Sequence, residues 1–399
     1  MLKHLFKLIW NRKRQNLLML LEIVISFVVM FVVLVTVIFL ISNYLKPLGF
    51  NYRNVWAVNI DWQNAEKADI AETLKQLEDT VESFPEAVAY SYSESYLFTP
   101  AAMSGIDLKY NNRKISSNLL SGDDHFAEVL DIPVIEGRWF NREDNTSLKK
   151  PLIINRNLEK ELFRGESGLG KTVVSGDDEY TIVGIVRDIR NSGELTRSKK
   201  IAVKRINLDA PVDDNAFITE NFGKRLLIKT RPGTDARFEE RLLKQLSAVA
   251  KDFRLKTIRL EDARISANKQ SMIMPVILLI ISGFLIINVS LGFFGVIWYN
   301  TNKRRAEIGL RRALGSSAKG IYSQILSEAL VLATFGIIIG AILAIQIPLM
   351  NVLSFIETNV YVLAFILSIL FIYGISSICA LYPGKIAANI EPAVALHEE

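Results

Sequence analysis

Four long apolar runs break up an otherwise mixed sequence. The first, Ile23 to Leu45, holds no charged residue; the others lie between Lys269 and Lys303, between Glu328 and Glu357, and between Glu357 and Lys385. Each is longer than the roughly 20 residues that cross a ~30 Å hydrocarbon core, and a helix buried in a soluble core is seldom uncharged for so long. The pattern predicts a four-pass membrane protein with spans at residues 17–45, 271–300, 319–351 and 360–384. The first run is too long for the apolar region of a cleavable signal peptide, and no small-residue cleavage site follows Ile41–Tyr44, so it reads as a retained span.

Between the first two spans the period changes. Asn54–Ile60 alternates like a strand, Glu66–Glu82 has helical spacing with Ile70, Leu74, Leu77 and Val81 on one face, and Val88–Tyr96 reads as a strand again. Arg225–Thr230, Thr234–Val249 (Phe238, Leu242, Leu246 and Val249 inward) and Arg254–Leu260 repeat that order. Each triplet is a βαβ-like unit, and pairing the two makes a ferredoxin-like α/β subdomain from residues 46–99 and 222–262. Residues 100–221 are rich in turns and short apolar runs, such as Pro151–Ile154 and Tyr180–Val186, and read as an inserted β-rich subdomain. The predicted fold class is therefore an α-helical membrane protein of four transmembrane helices with an α+β extracytoplasmic domain at 46–270. An amphipathic segment at 1–16, a loop at 301–318, a short turn at 352–359 and a tail at 385–399 complete the division.

Charge gives this architecture a direction. The chain carries a net +5, which could suggest nucleic acid, but Lys46 to Lys269 contain 35 basic and 35 acidic residues. That leaves 12 of the 47 basic and 7 of the 42 acidic residues for the rest of the chain. The basic ones sit before span 1 (Lys3, Lys7, Arg12, Lys13, Arg14), between spans 2 and 3 (Lys303, Arg304, Arg305, Arg311, Arg312, Lys319) and after span 4 (Lys385). By the positive-inside rule both termini and the 301–318 loop are cytoplasmic, and segment 46–270 is outside. No nucleic-acid partner is expected; the lipid bilayer is.

The single cysteine, Cys379, lies in span 4, so no disulfide within the chain can staple the external domain. His4, His125 and His397 are too scattered for a metal site, and no nucleophile–base or paired-carboxylate arrangement points to catalysis. Gly165–Thr172 fits the phosphate-loop pattern G-x-x-x-x-G-K-[ST] letter for letter. That pattern works only between a buried strand and a helix N-terminus. Here a short helix (Asn157–Arg164) precedes it and a strand follows, so it reads as a turn, and no cofactor is expected on this chain.

The loop after span 2, Asn302 to Ser317, is the most informative segment. As a helix it stacks Arg304 on Arg311 and Arg305 on Arg312, with Ala306, Leu310 and Leu314 stepping by four along another face. Gly315 suits a C-cap, and Ser316 or Ser317 can restart the chain into span 3. Two readings stay open on these residues alone: a docking element for a partner, or a surface helix whose arginines meet lipid phosphates. In span 3, Gly336, Gly340 and Ala344 form a small-residue face for close helix packing, either within the chain or against a second copy. Asn288 and Gln346 are polar residues inside spans that suit hydrogen bonds between helices or the lining of a cavity, and Glu22 sits near the cytoplasmic end of span 1.

The run Arg304-Arg-Ala-Glu-Ile-Gly-Leu-Arg-Arg-Ala-Leu-Gly-Ser-Ser317 resembles the cytoplasmic loop of MacB/FtsX-type ABC transporter permeases. Residues Tyr382–Leu396, with Pro383 and Pro392, resemble the same family's closing motif, and residues 125–144, 151–163 and 180–195 agree with its external segments. The resemblance implies a permease dimer, or a pair with a related permease, with a cytoplasmic ABC ATPase dimer docked on the loop helix and carrying ATP and magnesium. It also implies a bacterial cytoplasmic (inner) membrane, a periplasmic or extracellular domain, and for some members a periplasmic adaptor or outer-membrane channel. By motif match the docking role falls on Arg304, Arg305, Glu307, Ile308, Gly309, Arg311, Arg312 and Gly315. Longer members fuse the ATPase ahead of span 1, and here it is expected on a separate polypeptide, making this a non-catalytic subunit. The function implied is mechanotransmission, in which ATP hydrolysis moves the external domain to export or extract a substrate. An FtsX-like regulator of a cell-wall hydrolase and a stand-alone receptor are the alternatives.

Overall fold

The computed structural model describes residues 13–62, 67–99, 104–206, 224–350, 353 and 355–390. The expected basic segment up to Arg12, part of the inserted stretch at 207–221, part of the turn at 352–359, and the closing residues from Glu391, with Pro392, lie outside the described residues. The main elements in chain order are α1 (Lys13–Tyr44), β1 (Val55–Asp61), α2 (Lys67–Glu82), β2 (Ala87–Ser93), β3 (Ser104–Tyr110), β4 (Arg113–Gly122), β5 (Val134–Gly137), β6 (Lys150–Asn155), α3 (Arg156–Phe163), β7 (Thr172–Ser175), β8 (Asp178–Val186), β9 (Ile201–Arg205), β10 (Lys224–Thr230), α4 (Ala236–Val249), β11 (Arg254–Arg259), α5 (Leu260–Lys303), α6 (Arg305–Ala313), α7 (Ala318–Ala344) and α8 (Thr358–Ala388). They divide into a unit of residues 43–271 and a unit made of residues up to 42 with those from 272 onward.

In the 43–271 unit, β11, β1, β10 and β2 lie side by side in that order, every pair antiparallel. Both faces of strand β1 are covered, and Val55 to Val58 are all buried. Trp56, Val58 and Ile60, with Leu226 and Ile228 of β10, pack against Leu74, Leu77 and Val81 of α2 and Phe238, Leu242 and Leu246 of α4. Val55, Ala57 and Leu227 face a second core with Phe50, Phe98, Phe126 and Ile153. The inward face of α4 closes with Ala250, while Val249 is only half-buried. Asp235 starts that helix by accepting from the Arg237 amide at 3.0 Å, which satisfies one of its unpaired first-turn donors.

The sheet does not stop at β2. It continues through the pair Ser93–Gly122 into β4 and on through β3, β7, β8, β6 and β9. β4–β9 and β6–β8 are parallel, so the whole sheet is mixed. The two halves expected as separate subdomains thus share one sheet. Helix α3 covers the far half with Leu158, Leu162 and Phe163 over Leu152, Ile154 and Ile182. The Gly165–Thr172 turn leads from α3 into β7, helix before strand. Its Lys171 Nζ lies 2.7 Å from Glu166 and 5.0 Å from the Phe163 ring centre.

Four helices among the described residues are long and apolar enough to cross a membrane: Met19–Tyr44, Leu260–Lys303, Ala318–Leu349 and Thr358–Ala388. The second begins at Leu260, well before the apolar run itself. In the membrane unit Ile23 and Phe27 of α1 press against Gly336 and Gly340 of α7. A β-carbon on Gly336 would fall 2.7 Å from that of Ile23, and one on Gly340 would fall 2.9 Å from the Phe27 ring. Phe27 and Phe31 meet Phe365 of α8 edge-on at 5.7 and 6.2 Å. The Glu22 carboxylate lies against Gly292 of α5, closely enough that any side chain there would displace it. Asn288 and Gln346 donate to the carbonyls of Phe284 and Ile342, one turn back on their own helices, at 2.8 and 3.3 Å.

Candidate coupling helix

Helix α6 is short, so its stability must come from what holds its ends and its inner face. Its C-terminus is closed by Gly315, whose φ of 95° is open to glycine at little cost. The Ser316 amide reaches the Arg311 carbonyl at 3.0 Å and the Gly315 amide reaches that of Arg312 at 3.1 Å. This is the reciprocal pairing of a Schellman motif. Ser317 then starts α7 by accepting from the Gly320 amide at 3.1 Å, the second of the two serines proposed for that role.

On the inner face Ile308 and Gly309 are buried, Ile308 within the core formed by the membrane helices. A closed ring of polar side chains fixes the helix laterally. Arg304 bonds Glu307 at 3.0 Å and Glu328 at 2.9 Å. Arg311 bonds Glu307 at 2.6 Å and Gln324 at 3.0 Å, and Gln324 bonds Glu328 at 3.0 Å. Gln324 and Glu328 stand one turn apart on α7, so the ring ties α6 to the start of the third span. Burial works against the charge on Arg304, but hydrogen bonds and the field of Glu307 and Glu328 outweigh it and hold the guanidinium above its ordinary value.

The residues expected to dock a partner therefore separate by position. Arg304, Glu307 and Arg311 lie in the ring, Ile308 and Gly309 are buried, and Gly315 closes the helix. Arg312 donates to the Ser316 carbonyl at 3.4 Å, and Arg305 is exposed. The outward face is apolar: Ala306 is exposed, Leu310 is 50% exposed and Leu314 79%. Sequence reasoning placed these three on one face but missed Gln324 and Glu328. The signal was there, because an acid within an apolar helix calls for a nearby cation.

Arg304→Ala would leave Glu307 and Glu328 without their shared cation. It is expected to loosen α6 by about 1–2 kcal/mol, read as faster amide hydrogen exchange over residues 305–313. Unchanged exchange there would show that the ring does not hold the helix.

Residues 17–245 match the family model of the MacB-like periplasmic core domain, and residues 274–392 match that of the FtsX-like permease C-terminal region. The macrolide export ATP-binding/permease protein MacB of Wolinella succinogenes is 24% identical over 323 residues, which is 75% of this chain and 46% of that protein. The pyoverdine export ATP-binding/permease protein PvdT of Pseudomonas syringae pv. syringae is 24% identical over 304 residues, 73% of this chain and 44% of that protein. The chain thus spans about half the length of the curated relatives it matches. The periplasmic region of MacB from Actinobacillus actinomycetemcomitans aligns with a TM-score of 0.37 at 15% identity, covering 57% of this chain and 97% of that one.

Proposed function

This chain belongs to the MacB/FtsX-type ABC transporter permeases, and on that premise we propose that it is the membrane subunit of a transporter of the mechanotransmission type. A cytoplasmic ABC ATPase, carrying ATP and magnesium, docks on the outward face of α6. ATP-driven closure of the ATPases draws the cytoplasmic ends of the spans together, and the 43–271 unit moves on the outer side to export or extract a substrate. A second copy or a related permease completes the membrane part, and an adaptor can join outside. The antiparallel order of β11, β1, β10 and β2, with α2 and α4 on one face, supports a ferredoxin-like reading of that half. The size of the two-part domain favours a transporter over a hydrolase regulator.

The observation that carries this reading is the anchoring of α6. A lever must be stiff where it is pushed, and α6 is capped, buried on one side and ring-bonded to α7, while its apolar outward face is exposed among the described residues. Orientation can be tested with single cysteines in a Cys379→Ser background. Asp177→Cys, in the exposed β7–β8 turn, is expected to react with an impermeant maleimide on intact cells, and Ser316→Cys only after permeabilisation. The reverse pattern would remove α6 from the reach of any cytoplasmic ATPase.

A further inference from the structure

The segment after β8, Arg187 to Ser198, has no assigned role, yet two of its charged residues, Arg190 and Glu194, each make three or more hydrogen bonds to other parts of the 43–271 unit. Arg190 is 3% exposed and faces carbonyls rather than a carboxylate. Its guanidinium donates to Asn43 O at 2.6 Å, to Pro47 O at 3.2 Å, to Lys46 O, and to Glu194 O at 2.8 Å. The first three acceptors lie at and just beyond the end of α1. Carbonyls there lack an intrahelical donor, and the helix dipole presents its negative end.

Four residues on, Glu194 grips the other helix. Arg264 of α5 binds its carboxylate with two bonds, 2.8 and 2.7 Å, and Asn268 adds a third at 2.9 Å. Such a forked pair fixes direction as well as distance. Between the two grips, Gly193 has a φ of 117°, and a β-carbon there would come 3.3 Å from the Asn268 side chain. The segment is rooted in the far half of the sheet by Asp188, which accepts from Asn155 at 2.8 Å and from the Asn157 amide at 2.9 Å. Asn155, fully buried, also holds the Ile201 amide of β9 at 2.9 Å.

A single stretch of chain therefore holds the end of the helix arriving from span 1, the start of the helix leading to span 2, and the β-rich half. That half is an insertion, with no direct covalent link to either span. We propose that residues 187–198 form the joint through which displacement of the helix ends at 43–47 and 264–268 reaches the β-rich half, with Arg190 and Glu194 as its positioning residues. The proposal rests on the mechanotransmission reading above.

The test uses the full-length protein with its ATPase in lipid nanodiscs. Spin labels at Lys75→Cys on α2 and Asp177→Cys in the β-rich half, in a Cys379→Ser background, report the distance between the halves with and without ATP and vanadate. A nucleotide-dependent shift in the parent, lost in Arg190→Lys and in Glu194→Gln while both still hydrolyse ATP at the parent rate, is the expected result. Lysine keeps the charge but cannot span the separate carbonyls, and glutamine keeps a hydrogen bond to Asn268 but not the forked ion pair. The exchanged pair Glu194→Arg with Arg264→Glu is expected to regain the shift, which separates a positioning role from a merely structural one. A shift that survives in both single variants overturns the joint alone. No shift in the parent despite ATP hydrolysis overturns the mechanotransmission reading and the joint with it.

Discussion

Replacing Leu310 and Leu314 together by aspartate is expected to abolish recovery of the ATPase with the purified full-length protein, with little change in thermal stability. Both side chains already face outward, so the fold gives up little when they change. A docked partner would give up much more. Burying a leucine is worth about 1.5–3 kcal/mol, and burying an unpaired carboxylate in its place adds a desolvation penalty. A combined loss on the order of 3 kcal/mol corresponds to roughly 100-fold in affinity. The same variant separates docking from a helix that only rests on lipid. On a lipid surface these leucines would touch acyl chains, and ATPase recovery would be undiminished by the change. Exchanging Arg305 for alanine is the informative companion, because it removes a charge from the exposed side of the helix. If recovery follows Arg305 and ignores the two leucines, docking is electrostatic and the apolar face is not its centre.

This division of labour was only half visible in the sequence. Period and capping chemistry are local, so the spacing of Ala306, Leu310 and Leu314, the stop at Gly315 and the restart at Ser317 could be read from neighbouring residues. The ring depends on Gln324 and Glu328, which lie beyond a turn whose angle no local pattern sets. Arg304 and Arg311 therefore looked available for a partner, although they are occupied within the chain. The external domain shows the same split. The inward faces of α2 and α4 followed from helical spacing, because one side of each must be apolar. The continuation of the sheet through Ser93 and Gly122 rests on a single pairing between distant strands, and neither residue carries a strand signal. The start of α5 at Leu260 was hidden for another reason. Residues 260–270 are mostly polar and include Glu261, Asp262, Arg264 and Lys269, so nothing in their hydropathy extends the span outward. Their helix is held instead by side chains such as Glu194, which is far away in sequence.

Gly336→Val is expected to be the most damaging single change in the membrane unit. Valine at this position must place its β-carbon 2.7 Å from that of Ile23, well inside contact distance, and the neighbour is a branched side chain in a packed core rather than the free end of a flexible one. Overpacking of this kind costs about 1–3 kcal/mol, and the modest helix-propensity gain over glycine offsets only a few tenths of that. At roughly 2–4 °C per kcal/mol for a unit of this size, the detergent-purified protein should melt about 5 °C earlier. Ile23→Ala in the same chain is expected to recover most of the loss, because the two residues meet directly and their effects do not add. That rescue decides between the two packing roles open to the small-residue face. If Gly336, Gly340 and Ala344 instead formed a seam between copies, Gly336→Val would weaken crosslinking between copies, leave the melting temperature alone, and be indifferent to residue 23. The fully buried positions of Ala344 and Phe27 favour the first outcome, since a face already filled by α1 has no room for a helix from a second chain.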